Sequence, residues 1–126
     1  MILLLDAHAL LWSVSDLARL DRDAMTAIRD PRNDVLVSAA SIWELEIKRQ
    51  SGKLRYEVEL IDGAERAGFD VIPVLGVDTV HAARLPLHHR DPFDRMLVAQ
   101  ARRLGATLVS RDTVFDAYSG VERLAA

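Results

Sequence analysis

Four short, predominantly apolar runs, separated by segments with helical patterns, constrain the fold of this chain more than any other feature. Such runs are typical of strands that are buried on both faces of a sheet. They occupy residues 2–5, 35–37, 69–74 and 106–109. Because strands that alternate with helices form parallel sheets, we predict an α/β fold with a mostly parallel central sheet flanked by helices.

Apolar residues at helical spacing fill the intervals between these runs. Helices are expected over residues 7–14, 21–30, 41–52, 56–68, 77–85 and 92–104. The tail, residues 115–124, predicts a last short edge strand that closes the core. With 126 residues and 50% hydrophobic content, the chain is expected to form one domain over residues 1–126.

Composition excludes several classes of function. The chain has no cysteine, so disulfides and thiolate metal sites are ruled out, and a net charge of −3 argues against a globally basic nucleic-acid coat. Its six glycines are scattered singly, which disfavours phosphate-binding glycine loops. No apolar run is long enough for a signal peptide or a membrane span, so a cytoplasmic protein without membrane association is expected.

Two helix starts carry acidic residues that invite a structural and a functional interpretation. Pro92 suits the first position of a helix, with Asp91 as its N-cap and Asp94 in its first turn. Ser41 and Glu44 have the spacing of a capping box. Helix capping alone would explain each of these acids. A shared functional site is favoured only if other acidic residues lie at the same place in the fold.

Four acids are predicted to converge at one edge of the sheet. Strand carboxyl ends and the helix starts that follow them lie on the same edge, and four acids occupy such positions. They are Asp6, Glu44, Asp94 and Asp112. Crowded carboxylates repel one another unless a cation compensates them, and an all-oxygen set favours Mg²⁺ or Mn²⁺. The four histidines lack a ligand spacing and are expected to be solvated or to support the site from outside.

Four blocks of sequence, in order, resemble the PIN-domain family in its VapC-type toxin branch. The blocks span residues 4–12, residues 38–44 with Gly52-Lys53-Leu54, residues 91–95 continuing to Ala99-Gln100-Ala101, and Ser110-Arg111-Asp112. The Asp-Pro-Phe-Asp-Arg block is the most distinctive of them. The resemblance extends over nearly the whole chain.

The resemblance implies a single PIN domain and a Mg²⁺- or Mn²⁺-dependent endoribonuclease. Such a protein is the toxin of a VapBC-type toxin–antitoxin pair, bound by a small VapB-like antitoxin, acting on RNA, and usually a homodimer that forms larger complexes with the antitoxin. Motif by motif, the catalytic and metal-binding residues would be Asp6, Glu44, Asp94 and Asp112. Asp116 lies close enough to Asp112 in sequence to compete for the role of fourth acid.

Neighbouring residues receive supporting roles from the same resemblance. Asp91 would cap its helix, and Ser110 would orient an acid. Arg95 and Arg111 could orient the acids or contact RNA phosphate, with structural salt bridges as the favoured alternative. The two tryptophans, Trp12 and Trp43, are expected to be core residues, although they also fall near the region that an antitoxin would occupy.

Two other functions remain open at this stage. The chain could be a non-catalytic PIN-like module that binds RNA or a protein, although mutually repelling acids would then have little purpose. It could also be a phosphatase or a phosphoryl-accepting domain, a phosphoryl-transfer chemistry in which Asp6 would be the nucleophile. That chemistry usually has a second acid two residues later, where this chain has His8.

Overall fold

Five parallel strands form the centre of the molecule in the computed structural model, which describes residues 1–126. They are β1 (Ile2–Leu5), β2 (Asp34–Ser38), β3 (Asp70–Ile72), β4 (Thr107–Val109) and β5 (Arg123–Leu124). Their order across the sheet is β3-β2-β1-β4-β5, and every neighbouring pair is parallel. The predicted α/β fold with a parallel sheet is therefore confirmed, as is the edge strand in the tail.

Six α-helices connect and cover the strands. They are α1 (Ala7–Ser15), α2 (Arg22–Arg29), α3 (Ala39–Gln50), α4 (Leu60–Arg66), α5 (Gly76–Arg84) and α6 (Pro92–Leu104), with 3₁₀ turns at Leu17–Arg19 and Thr113–Ala117. None of the helices has the length and apolar character needed to cross a membrane.

The side chains of the strands alternate between two hydrophobic cores. On one face, Leu3 and Leu5 pack in a core with residues of α1, α2, α3 and α4. On the other face, Leu4 packs with residues of α6 and with Phe115 and Tyr118. Since both faces of β1 are buried, its continuous apolar run fits a central strand.

The helix that carries Asp94 begins and ends as its sequence predicts. The Asp91 carboxylate accepts hydrogen bonds from the backbone N–H groups of Phe93 (2.8 Å) and Asp94 (3.3 Å), and Pro92 occupies the first turn. Gly105 closes the helix with φ of +64°, a left-handed conformation that favours glycine. These two caps fix the direction in which the first turn of α6 faces.

Three predicted boundaries are wrong. Helix α4 begins at Leu60, because residues 56–59 run as an irregular segment from which Tyr56 and Val58 pack against the core. The third strand covers only Asp70–Ile72. Helix α3 begins at Ala39 with Ser38 as its N-cap, two residues before the predicted start, so Ser41 lies inside the helix.

Candidate metal centre

One open cleft of about 500 Å³ brings together all four of the acids that the sequence singles out. Asp6 directly follows β1, and Asp112 follows β4, the neighbour of β1 in the sheet. Glu44 reaches the cleft from α3 and Asp94 from α6. The four carboxylates thus approach one volume from four different elements.

Asp6 is held rigidly at the floor of the cleft. Its carboxylate caps α1 by accepting a hydrogen bond from the Ala9 backbone N–H at 2.8 Å, and the residue is 9% exposed. Burial raises the pKa of Asp6, whereas the Ser110 hydroxyl and the Ala9 N–H act to lower it. Its anionic form is therefore poorly solvated and would gain from a nearby cation.

Glu44 is not a helix-capping residue, so the capping box predicted from the spacing of Ser41 and Glu44 is wrong. It lies in the second turn of α3, nearly buried, and its Oε2 accepts a hydrogen bond from Lys48 Nζ at 2.8 Å. The hydroxyl of Ser41, the other half of the expected capping box, is buried with no hydrogen-bond partner. The hydrogen bond with Glu44, together with the charge of that carboxylate, raises the pKa of Lys48, so this lysine places a positive charge in the cleft.

Asp94 is the most strongly perturbed acid of the cleft. Burial, with the charge of Asp91 in support, raises the pKa of Asp94 to about 6. The imidazole of His89 opposes this shift, with Nε2 at 2.7 Å from Asp94 Oδ2. A carboxylate in this position carries charge that its surroundings compensate only in part, which is typical of a functional site.

The fourth acid that faces the cleft is Asp112. Ser110, fully buried at the end of β4, accepts a hydrogen bond from the backbone N–H of Asp112 at 3.0 Å. Asp116, the competing candidate, forms a two-pronged ion pair with Arg123 at 2.9 and 3.0 Å and does not line the cleft. The geometry therefore favours Asp112 over Asp116.

The donor atoms present fit a divalent cation. Ligand atoms of His89, Asp94 and Asp112 all lie within 4.8 Å of one another, and Asp6 and Glu44 line the same cleft. Carboxylate oxygens with an imidazole nitrogen suit Mg²⁺ or, better, Mn²⁺. His89, Asp94 and Asp112 could thus hold one such ion, with Asp6 and Glu44 in the same cleft.

Two residues of the site are missed by the sequence reasoning. Lys48 follows Glu44 by four positions, and that helical spacing is a signal from which the ion pair could have been predicted. His89 lies in the irregular segment before α6, where no periodicity indicates the direction of a side chain. Only the folded chain shows that His89 contacts Asp94 and that His88 instead packs edge-on against Tyr118, with ring centroids 5.1 Å apart.

Both arginines of the motif blocks make contacts other than those expected. Arg95 is buried and donates to four backbone carbonyls, and Arg111 donates to the carbonyls of Ala126 and Arg19 while its guanidinium lies 4.2 Å from the centroid of the Trp12 ring. Neither forms a salt bridge with an aspartate or glutamate side chain, so the expected pairing with such side chains is wrong.

The expectation that both tryptophans are core residues is wrong for Trp43. Trp43 is 63% exposed and makes an edge contact with Phe93 at 5.5 Å between ring centroids. Trp12 is half-buried, packs against the α1–α4 core, and forms part of the wall of the acidic cleft. Only Trp12 therefore meets the expectation, and only in part.

A three-layer α/β fold with acids at the carboxyl edge of a parallel sheet defines the class of this protein, and comparison with known proteins specifies it. The family model for the PIN domain matches residues 3–121. The chain therefore belongs to the PIN domain family. A search of curated proteins found no match.

Solved structures share the fold at low sequence identity. VapBC2 from Rickettsia felis, bound to a promoter DNA fragment, matches with a TM-score of 0.70 and 13% identity, covering 98% of each chain. FitAcB from Neisseria gonorrhoeae matches with a TM-score of 0.63 and 20% identity, covering 99% of this chain and 97% of that one. VapBC-5 from Mycobacterium tuberculosis, described as a toxin–antitoxin system, matches with a TM-score of 0.62 and 16% identity, covering 99% and 98%.

The raised pKa of Asp94 predicts that the metal-free protein becomes more stable as the pH falls from about 7.5 to about 5. The folded chain takes up a proton near pH 6, whereas Asp94 in the unfolded chain stays ionised down to about pH 4. Stability from this group is thus present at low pH and lost as the pH rises through 6. Asp94 should contribute about 1 kcal/mol to the gain seen by urea unfolding in EDTA, and Asp94→Asn should remove that share while the share of Asp6 remains. If the free energy of unfolding of Asp94→Asn depended on pH as that of wild type does, Asp94 would not be the group that titrates near pH 6.

Proposed function

We propose that this protein is a metal-dependent endoribonuclease, the toxin component of a VapBC-type toxin–antitoxin module, which hydrolyses RNA phosphodiester bonds at the acidic cleft. The observation that carries the proposal is the approach of Asp6, Glu44, Asp94 and Asp112 to one cleft from four separate elements. Capping can explain single acids, but it does not explain why four of them share one volume.

A bound Mg²⁺ or Mn²⁺ supplies charge neutralisation and Lewis acidity towards a phosphodiester and its attacking water. The chain's own residues prepare the site for it. Asp6 is fixed by the Ala9 N–H, and Asp94 is fixed by the capped start of α6. Ser110 holds the backbone of Asp112, so the acids are oriented before a ligand arrives.

Lys48 supplies a positive charge on the Glu44 side of the cleft. Its side chain is about one-third exposed, so it can contact a phosphate oxygen of the substrate while it stays beside Glu44. A compact cation placed beside the scissile phosphate would stabilise the negative charge that grows during cleavage. We therefore assign Lys48 to the binding of the substrate's backbone.

The proposal is tested with purified, antitoxin-free protein on a mixed single-stranded RNA pool, on a DNA pool of the same sequences, and on p-nitrophenyl phosphate, each with Mg²⁺ or Mn²⁺. Internal cleavage of the RNA pool, with no cleavage of the DNA pool and no turnover of the phosphomonoester, would support the proposed endoribonuclease. Turnover of the phosphomonoester would favour the phosphoryl-transfer alternative with Asp6 as nucleophile. Binding of RNA without any cut would favour the non-catalytic module.

Protein partners belong to the same proposal. Structural neighbours of the fold are VapBC complexes, which supports a small VapB-like antitoxin as partner of this chain. We further propose a homodimer in the absence of antitoxin and a heterotetramer or larger complex with it. Light scattering after size exclusion should give twice the chain mass of 14.0 kDa. A mass of one chain at micromolar concentration would contradict the dimer.

A further inference from the structure

His89 places an imidazole nitrogen against an acid of the cleft. Its Nε2 lies 2.7 Å from Asp94 Oδ2, and a donor atom of the ring lies within 4.8 Å of the carboxylate oxygens of both Asp94 and Asp112. The side chain is 28% exposed and lines the cleft itself. Its position is therefore that of a candidate metal ligand, whereas the sequence predicts a solvated or supporting histidine.

The spacing of these atoms agrees with shared coordination. Two neighbouring ligands on an octahedral ion with bonds of about 2.1 Å are about 3 Å apart. The separation between His89 Nε2 and Asp94 Oδ2 is close to this value. Only a small shift would therefore replace their hydrogen bond by two bonds to one ion.

Arg95 holds the backbone of the segment that carries His89. The buried guanidinium donates to the carbonyls of Ala83 (3.3 Å), Leu85 (2.8 Å), Pro86 (3.0 Å) and His89 (3.1 Å). These four bonds hold the segment between α5 and α6 in one conformation. Because the segment is fixed before any ligand binds, little conformational entropy is lost when the His89 ring coordinates an ion.

We propose that His89 supplies a nitrogen ligand to the metal ion of this site, in addition to the carboxylates, and that Arg95 is the positioning residue that presents it. This inference rests on the proposed metal-dependent function. A mixed nitrogen and oxygen site binds Mn²⁺ in preference to Mg²⁺, because imidazole is a softer donor than carboxylate. This chain would thus prefer Mn²⁺, whereas a site made only of carboxylates suits Mg²⁺.

The competing interpretation leaves His89 hydrogen-bonded to Asp94 as an orienting partner while only carboxylates touch the ion. Loss of such a partner also weakens metal binding, by about 10- to 100-fold. Affinity alone therefore does not separate the two interpretations, but a direct signal from a coordinated nitrogen does.

The test is electron spin echo spectroscopy of Mn²⁺ bound to the full chain, on wild type, His89→Gln and His88→Gln. His88 is the matched control, because it is adjacent in sequence but packs against Tyr118. We expect a coupling from a directly bound histidine nitrogen in wild type and His88→Gln, and its loss in His89→Gln. In parallel, His89→Gln should weaken Mn²⁺ binding about 10-fold or more and Mg²⁺ binding by less.

The outcomes separate this inference from the proposed function. Mn²⁺ binding without nitrogen coupling in wild type would overturn the role of His89 and leave a metal-dependent nuclease intact. No Mn²⁺ binding at all would overturn both. A coupling that persists in His89→Gln would assign the nitrogen to another residue and contradict the inference.

Discussion

Replacing Asp94 with asparagine is expected to reduce RNA cleavage by about 10³-fold or more, equivalent to about 4 kcal/mol of transition-state stabilisation. Asparagine keeps the size of the side chain and can still accept a hydrogen bond from His89, but it removes the charge that a cation needs. The effect should appear in the rate constant at saturating metal as well as in metal affinity.

The same substitution should make the metal-free protein more stable at neutral pH. Burial and the charge of Asp91 disfavour the ionised form of Asp94, and a neutral side chain avoids that penalty. Loss of activity together with a gain in stability is the signature of a functional acid, since loss of a structural acid lowers both.

Asp116→Asn is the matched control for this experiment. Asp116 is paired with Arg123 on the surface, outside the cleft, so the control should cut RNA at close to the wild-type rate. Cleavage by Asp94→Asn at more than one-tenth of the wild-type rate would contradict the assignment of the cleft. An equal loss in Asp116→Asn would reopen the choice of the fourth acid.

Replacing Arg95 with methionine is expected to lower the free energy of unfolding by about 3 kcal/mol or more. Methionine approximates the length and apolar stem of arginine, but it removes the guanidinium donor of the carbonyls of Ala83, Leu85 and His89. The Pro86 carbonyl also loses Arg95, although it keeps the His88 N–H and the Tyr118 hydroxyl as donors. Arg95→Lys should recover little of the loss, because one ammonium does not reproduce the planar fork that reaches all four oxygens.

The control for Arg95 is Arg66→Met on the exposed face of α4. Arg66 is 80% exposed and pairs only with Asp62, so its replacement should change stability by no more than about 0.5 kcal/mol. Urea unfolding of the three variants gives the comparison. Equal stability of Arg95→Met and wild type would show that the buried guanidinium does not hold the segment before α6.

Patterns that repeat along the chain were sufficient to predict the fold. The run Ile2–Leu5 needs burial on both faces and accordingly forms the central strand. Helix α6 was predictable to the residue, because Asp91, Pro92 and Gly105 act locally, each through its own backbone geometry. Such local rules transfer directly from sequence to structure.

Residues whose role depends on tertiary contacts were harder to predict. Because Ser38 is the N-cap of α3, Glu44 lies in the second turn of that helix. There it accepts a hydrogen bond from Lys48 and makes no capping box with Ser41. Arg95 donates hydrogen bonds to backbone carbonyls and does not pair with a carboxylate side chain, because the segment before α6 folds over its guanidinium. His89 has no periodic context, so its contact with Asp94 follows only from that segment's conformation.

The most direct test of the central claim is the rate of RNA cleavage by EDTA-stripped protein as free Mn²⁺ is added back. We predict no cleavage without metal and a saturating rise in rate over the same Mn²⁺ concentrations at which the ion binds the cleft. Cleavage that continues undiminished in excess EDTA would contradict a metal-dependent site built from Asp6, Glu44, Asp94 and Asp112.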